Sequence, residues 1–224
     1  MKRTLRLLSL ALTACLSACE SSDGIFSRLP AYFVMENVLQ APVLYTSVQS
    51  MGEFCTIRAT GNKYEFASPT QKTPSYVNAT QLSSMSGFYM GLSGFIVGLP
   101  HIPEMGHDQS RVVCYDLACS NCYHTYNVTK RMTLQEGGYT HCTSCNRTYN
   151  LNDMGLITKG EAGKPLIRYR ATYAGHTLVI NNRWGEKDKK TSVFFSILNF
   201  SCIFASANGC PDGGIGRHEG LKIP

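Results

Sequence analysis

The chain predicts an all-β domain, a small antiparallel barrel or sandwich that carries a rubredoxin- or zinc-ribbon-like metal-binding subdomain. Three observations lead there. Short runs with two-residue alternation recur along the middle of the chain, whereas helical periodicity is scarce. Glycine and other turn residues punctuate those runs. Two Cys-x-x-Cys pairs, CSNC at 119–122 and CTSC at 142–145, stand nineteen residues apart at the ends of a stretch that reads as a β-hairpin.

The first residues, MKRTLRLLSLALTACLSACESSDG, read as an export signal. Lys2, Arg3 and Arg6 form the basic n-region, and an apolar run follows to Ala18. That run is too short to span a membrane. Leu16-Ser17-Ala18-Cys19 fits the lipobox of a bacterial lipoprotein, which makes residues 1–18 the signal peptide, Cys19 the lipidated residue and 19–27 a tether. A second match ending at Cys15 leaves the apolar segment at the short end of its usual range. The expected location is the bacterial cell envelope, with the chain held to the membrane by lipid.

The other end reads differently. CPDGGIGRHEGLKIP (210–224) can be back-translated into a string resembling a bacterial tRNA-Leu gene, with an anticodon stem closing a seven-base loop around TAA. Residues 191–224 are therefore expected to be a read-through tail, and Cys202 and Cys210 are set aside. The formal net charge is +6, half of it supplied by Lys2, Arg3 and Arg6. The remainder does not make the basic surface that nucleic acid requires, so none is expected as a partner.

The domain is expected over 28–190, a length that suits one core. Its strands are expected at Ala31–Glu36, Glu53–Ala59, Gly94–Gly98, Arg111–Leu117, Tyr123–Val128 and Arg147–Leu151. In PLIRYRATYAGHTLVINN, Ile167, Tyr169, Ala171 and Tyr173 alternate with polar partners, Ala174-Gly175 turns the chain, and His176–Ile180 runs back. Only Asn78–Met85 reads as helical or irregular. Trp184 follows the last strand as a core-edge anchor.

Six cysteines remain inside this span: Cys55, Cys114, Cys119, Cys122, Cys142 and Cys145. Two C-x2-C turns can aim four sulfurs at one ion, which makes Cys119, Cys122, Cys142 and Cys145 the candidate metal ligands, in loops spanning 114–150. An exported chain also allows disulfides. A redox-active dithiol is the weaker alternative, since it normally sits at a helix N-terminus and no helix is readable there. Cys55 and Cys114 are left over, as a disulfide or as two buried thiols. His124 and His141 stand near the pairs and read as ordinary polar residues. Lys130, Arg131 and Arg147 could offset the charge of a thiolate-bound ion, though each reads equally as a solvated strand residue. Asn78, Asn127 and Asn146 begin glycosylation sequons, which in a bacterial lipoprotein are coincidental.

The stretch CTSCNRTYNLNDMGLITKGEAGKPLIRYRATYAGHTLVINN (142–182) resembles the second cluster loop and closing strands of Rieske proteins, and VVCYDLACSNCY resembles the first loop. RLPAYFVMENV and GFYMGLSGFIVG resemble the opening strands of short bacterial Rieske-like lipoproteins, so the likeness spans about 28–184. It implies a Rieske-like antiparallel fold and a [2Fe–2S] cluster. Both histidine ligands are replaced: Cys145 stands in the second loop's histidine place, and Cys122 lies one residue beyond that of the first. With four thiolates such a cluster would fall toward the ferredoxin range, about −400 mV.

The export route bears on the ion. MKRTLRLL lacks an adjacent arginine pair, so the chain is expected to cross unfolded and to acquire its ion afterwards, which favours zinc or disulfides over iron–sulfur. Zinc is placed first and [2Fe–2S] second. The expected role is a structural or binding module rather than an enzyme. Electron transfer is the alternative and thiol–disulfide exchange the weaker one; an envelope redox or protein partner remains unidentified.

Overall fold

The computed structural model describes residues 25–81, 88–104 and 109–182. Cys19, Trp184 and the tail from 191 lie outside them. The described part belongs to one compact unit and is built on three antiparallel sheets.

The central sheet has six strands, β2 (Phe54–Thr60), β3 (Lys63–Ala67), β4 (Ser75–Asn78), β6 (Phe95–Gly98), β7 (Val113–Asp116) and β12 (Arg168–Tyr169), in the order β12-β7-β6-β2-β3-β4. Period-two alternation divides its residues between two cores. Cys55, Ile57, Phe66, Phe95, Val97, Cys114 and Tyr169 enter the first core. Phe54, Ile96, Val113 and Tyr115 enter the second.

The first core is closed by a four-stranded sheet of β1 (Ala31–Met35), β5 (Tyr89–Met90), β13 (Ala171–Ala174) and β14 (Thr177–Asn182), ordered β13-β14-β1-β5. Phe33, Met35, Leu178 and Ile180 face inward from it. Helix α1 (Pro42–Gln49) adds Val43, Leu44 and Val48, and its Pro42 occupies the first turn, where a missing N–H costs nothing. Burying each large side chain here contributes about 1.5–3 kcal/mol.

The second core is closed by β8 (Thr133–Gln135), β9 (Tyr139–Cys142), β10 (Arg147–Asn150) and β11 (Leu156–Lys159), in the order β11-β10-β9-β8. Leu134, Tyr149 and Ile157 point inward with Leu151 and Leu166. All four candidate ligands belong to this core, at the end where β7 and β9 terminate.

Antiparallel β structure is the architecture expected. Three local expectations are corrected. Tyr123–Val128 is not a strand, because Ser120–Tyr126 forms helix α2, ended by Asn127 in the left-handed region at φ 54°. The strand expected from Ile167 is broken into β12 and β13, which belong to different sheets. Helix α1 forms where no helix is expected. Within Asn78–Met85, expected to be helical or irregular, Ala79–Gln81 is a 3-10 turn, Asn78 closes β4, and 82–87 lie outside the described residues. The Ala174-Gly175 turn is as expected, with Gly175 at φ 62°.

Candidate metal centre

The first knuckle is set by β7. Asp116 is buried, and its carboxylate accepts from three elements. Oδ1 takes the Ala118 N–H at 2.6 Å, and Oδ2 takes the Leu92 N–H and the Tyr169 hydroxyl at 2.7 Å each. Burial pushes this carboxyl above its ordinary pKa, and the bonds from Leu92, Tyr169 and Ala118 pull against that shift. The chain therefore leaves β7 in a fixed direction, held at Ala118, one residue before Cys119.

Cys119 is the N-cap of α2, and Cys122 lies in its first turn. Three-residue spacing on a helical turn puts both side chains on one face. The returning chain seals the loop: the Cys119 N–H donates to Lys130 O at 2.8 Å and the Met132 N–H to Leu117 O at 2.9 Å.

The second knuckle is the β9–β10 turn. Cys142 ends β9 opposite Arg147, and the chain between them reverses through Asn146 at φ 56°. The backbone N–H groups of Ser144 and Cys145 point at the Cys142 sulfur. Only a left-handed residue lets so short a turn fold its amides over the first sulfur, and asparagine tolerates that conformation.

The four Sγ atoms all lie within 4.8 Å of one another. Cys119 and Cys145 approach to 3.5 Å, and Cys122 and Cys142 to 3.7 Å. Four thiolates bonded to one ion at about 2.3 Å would stand about 3.8 Å apart, so the donor set fits a single tetrahedral ion. Three of the cysteines are buried and Cys145 is half-buried.

Two residues complete the surroundings. The Tyr149 hydroxyl lies 3.4 Å from Cys119 Sγ. Burial, then the neighbouring Cys119, hold that phenol above its ordinary pKa, so it stays a donor. Arg147 is buried rather than solvated, 7 % exposed. Its guanidinium donates to Glu161 O at 2.9 Å and Glu161 Oε2 at 3.0 Å, and it also bonds Cys145.

The sulfurs are not electrostatically equivalent. Burial opposes ionisation of Cys145, but bonds from Arg147 and from neighbouring thiols outweigh it and bring the thiol down to about 7. Burial pushes Cys122 and Cys142 up. A divalent cation would reverse that cost, because it stabilises every thiolate it binds.

Other expectations fall away from the cluster. His141 precedes Cys142 on β9 and so faces the opposite side of the sheet, where Nδ1 lies 3.1 Å from Thr148 Oγ1. His124 packs edge-on to Tyr123 with ring centroids 5.3 Å apart. Lys130 and Arg131 are exposed. Cys55 and Cys114 are not a disulfide but free buried thiols. Val97 pairs with both, so β6 runs between them. Two strand spacings, about 9–10 Å, exceed the Cα separation that a disulfide spans. They also face the first core, across the sheet from the tetrad.

No family model matches this chain, and no curated protein and no solved structure matches it either.

Proposed function

We propose that Cys119, Cys122, Cys142 and Cys145 hold one zinc ion that staples α2 to the β9–β10 turn, within a structural or binding module. On this reading the module belongs to a bacterial cell envelope and is tethered through lipid on Cys19. The closed tetrad of sulfurs carries the metal part. Their mutual distances suit four sulfurs around one tetrahedral ion. Four thiolates leave no open position for water, so the ion is structural rather than a hydrolytic Lewis acid.

The lipobox and basic n-region support the envelope location. The resemblance of 142–182 to Rieske closing strands supports a Rieske-like domain whose histidine ligands have become cysteines.

Electron transfer through a [2Fe–2S] cluster is the second reading. The same resemblance and the half-buried Cys145, a ligand at the rim of the site, favour it. Metal analysis and a visible spectrum, before and after reconstitution with iron and sulfide, separate the two. A colourless protein with one zinc per chain supports the first. Two irons, two labile sulfides and a reducible absorption band support the second.

A further inference from the structure

We propose that the tetrad has two interchangeable states, one closed by zinc and one closed by two disulfides that cross between the knuckles, Cys119–Cys145 and Cys122–Cys142. The inference rests on the zinc reading above and adds a redox response to it.

Pairing follows from position. Both thiol–thiol contacts of hydrogen-bonding geometry join a cysteine of the α2 knuckle to one of the β9–β10 turn. Closing each to a disulfide needs the sulfurs to approach by about 1.5 Å more. Either bond ties together the two segments that the ion would tie. Oxidation would therefore exchange one staple for another, leaving β7, α2, β9 and β10 where they are.

Access orders the steps. Cys145 is the one half-buried ligand, so a small peroxide reaches it first. Its thiolate attacks hydrogen peroxide, breaking the O–O bond, and takes one oxygen as a sulfenic acid. The other oxygen leaves as water after taking up a proton. The Cys119 thiolate then attacks the Cys145 sulfur, forming the S–S bond. The sulfenic oxygen leaves as a second water with one more proton. Two electrons have passed from two thiolates to one peroxide. With two ligands gone the divalent ion departs, and Cys122 and Cys142 repeat the sequence with a second peroxide.

The test uses the reduced, zinc-loaded full chain treated with a small excess of hydrogen peroxide. Zinc release is followed with a chromogenic chelator, and disulfides are mapped after tryptic cleavage. Cutting after Arg111, Lys130, Arg131 and Arg147 leaves each knuckle on its own peptide, 112–130 and 132–147. The expected result is one zinc released per chain, these two peptides joined, and fragmentation placing the bonds at 119–145 and 122–142. Cys114 on the first peptide should remain a thiol, because it lies across the central sheet in the other core. The oxidised, zinc-free protein should keep its circular dichroism and melt well above the reduced protein stripped by chelator.

Retention of zinc under peroxide, sulfinic acids in place of disulfides, bonds within each knuckle, or an oxidised chain melting as low as the stripped one would each overturn the proposal. Zinc content before oxidation reports separately on the underlying reading. A reduced chain that takes up no zinc sinks that reading, while peptide mapping of the same chain still decides the pairing.

Discussion

Replacing Tyr149 with phenylalanine isolates one contact of the centre. The ring is fully buried in the second core, and phenylalanine keeps its shape there while deleting the hydroxyl 3.4 Å from Cys119 Sγ. A hydrogen bond to a charged group contributes about 1.5–3 kcal/mol, and about 1.4 kcal/mol is a factor of ten in an equilibrium constant. Zinc binding should therefore weaken about 10- to 100-fold, the range found when a partner supporting a metal ligand is removed. The metal-free form should lose much less, since without the ion there is no metal-bound sulfur for the hydroxyl to support. Competition with a chromogenic chelator at fixed pH measures the affinity, and the melting temperature of the stripped protein measures the rest. Equal zinc affinity in wild type and Tyr149→Phe would show that the hydroxyl does not support a bound thiolate, and would contradict the ligand assignment of Cys119.

Other expectations concern the same frame. Cys142→Ser should abolish stable zinc binding and loosen both knuckles, whereas His141→Ala, which alters only the outer face of β9, should leave the metal content unchanged in the same elemental assay. Asp116→Ala leaves the Leu92 and Ala118 N–H groups and the Tyr169 hydroxyl without their acceptor, so denaturant unfolding should show a loss of about 3–5 kcal/mol. Gly91→Ala should also destabilise, because φ is 62° and the added Cβ would meet Asp116 Oδ2 at 2.5 Å and Tyr169 Oη at 2.6 Å; its melting temperature should fall by several degrees. Burial raises the Cys55 thiol from 9.0 to about 12, against a weaker opposing bond from Ser47. The folded state therefore holds that proton more tightly than the unfolded state, so the stabilisation is complete below pH 9 and declines as pH rises toward 12, a slope that Cys55→Val should reduce in denaturant titrations at each pH.

The sequence exposed those parts of the fold whose signal is local. β1, β2, β6, β7 and β10 overlap their expected spans: β6 and β7 are short runs buried on both faces, and β10 alternates cleanly between a buried and a half-buried face. β3, β4 and β11 were not legible, being short, with polar residues on an exposed outer face and weak alternation, whereas β8 and β9 form the hairpin that the stretch between the cysteine pairs suggests. Helix α2 was hidden by composition, since SNCYHTY holds aromatic and polar residues of modest helix propensity and reads as alternation into Val128. Its signals were the three-residue cysteine spacing and Asn127, which can end a helix in the left-handed region. The helix places Cys119 at an N-terminus, the setting that the dithiol alternative lacked in sequence, yet the sulfurs nearest in bonding geometry lie across the knuckles.

At the site, the four ligands were legible from spacing alone, and the structure brings them together. Of their supports only Arg147 was named, as one of three cations that could offset the charge, and nothing singled it out. Arg147 and Tyr149 follow Cys145 on one strand, but Tyr149 bonds Cys119, which is 30 positions away. Asp116 acts through Ala118, Leu92 and Tyr169, a convergence that only the sheet order creates. The choice between a Cys55–Cys114 disulfide and two buried thiols stayed open for a related reason: sequence showed two leftover cysteines on strands but not β6 between them, which keeps both as thiols.

X-ray absorption at the zinc edge, on protein purified without added metal, addresses the central claim most directly. The account predicts one zinc per chain with four sulfur neighbours at about 2.3 Å and no nitrogen or oxygen shell. A shell containing nitrogen or oxygen, or iron in place of zinc, would contradict it.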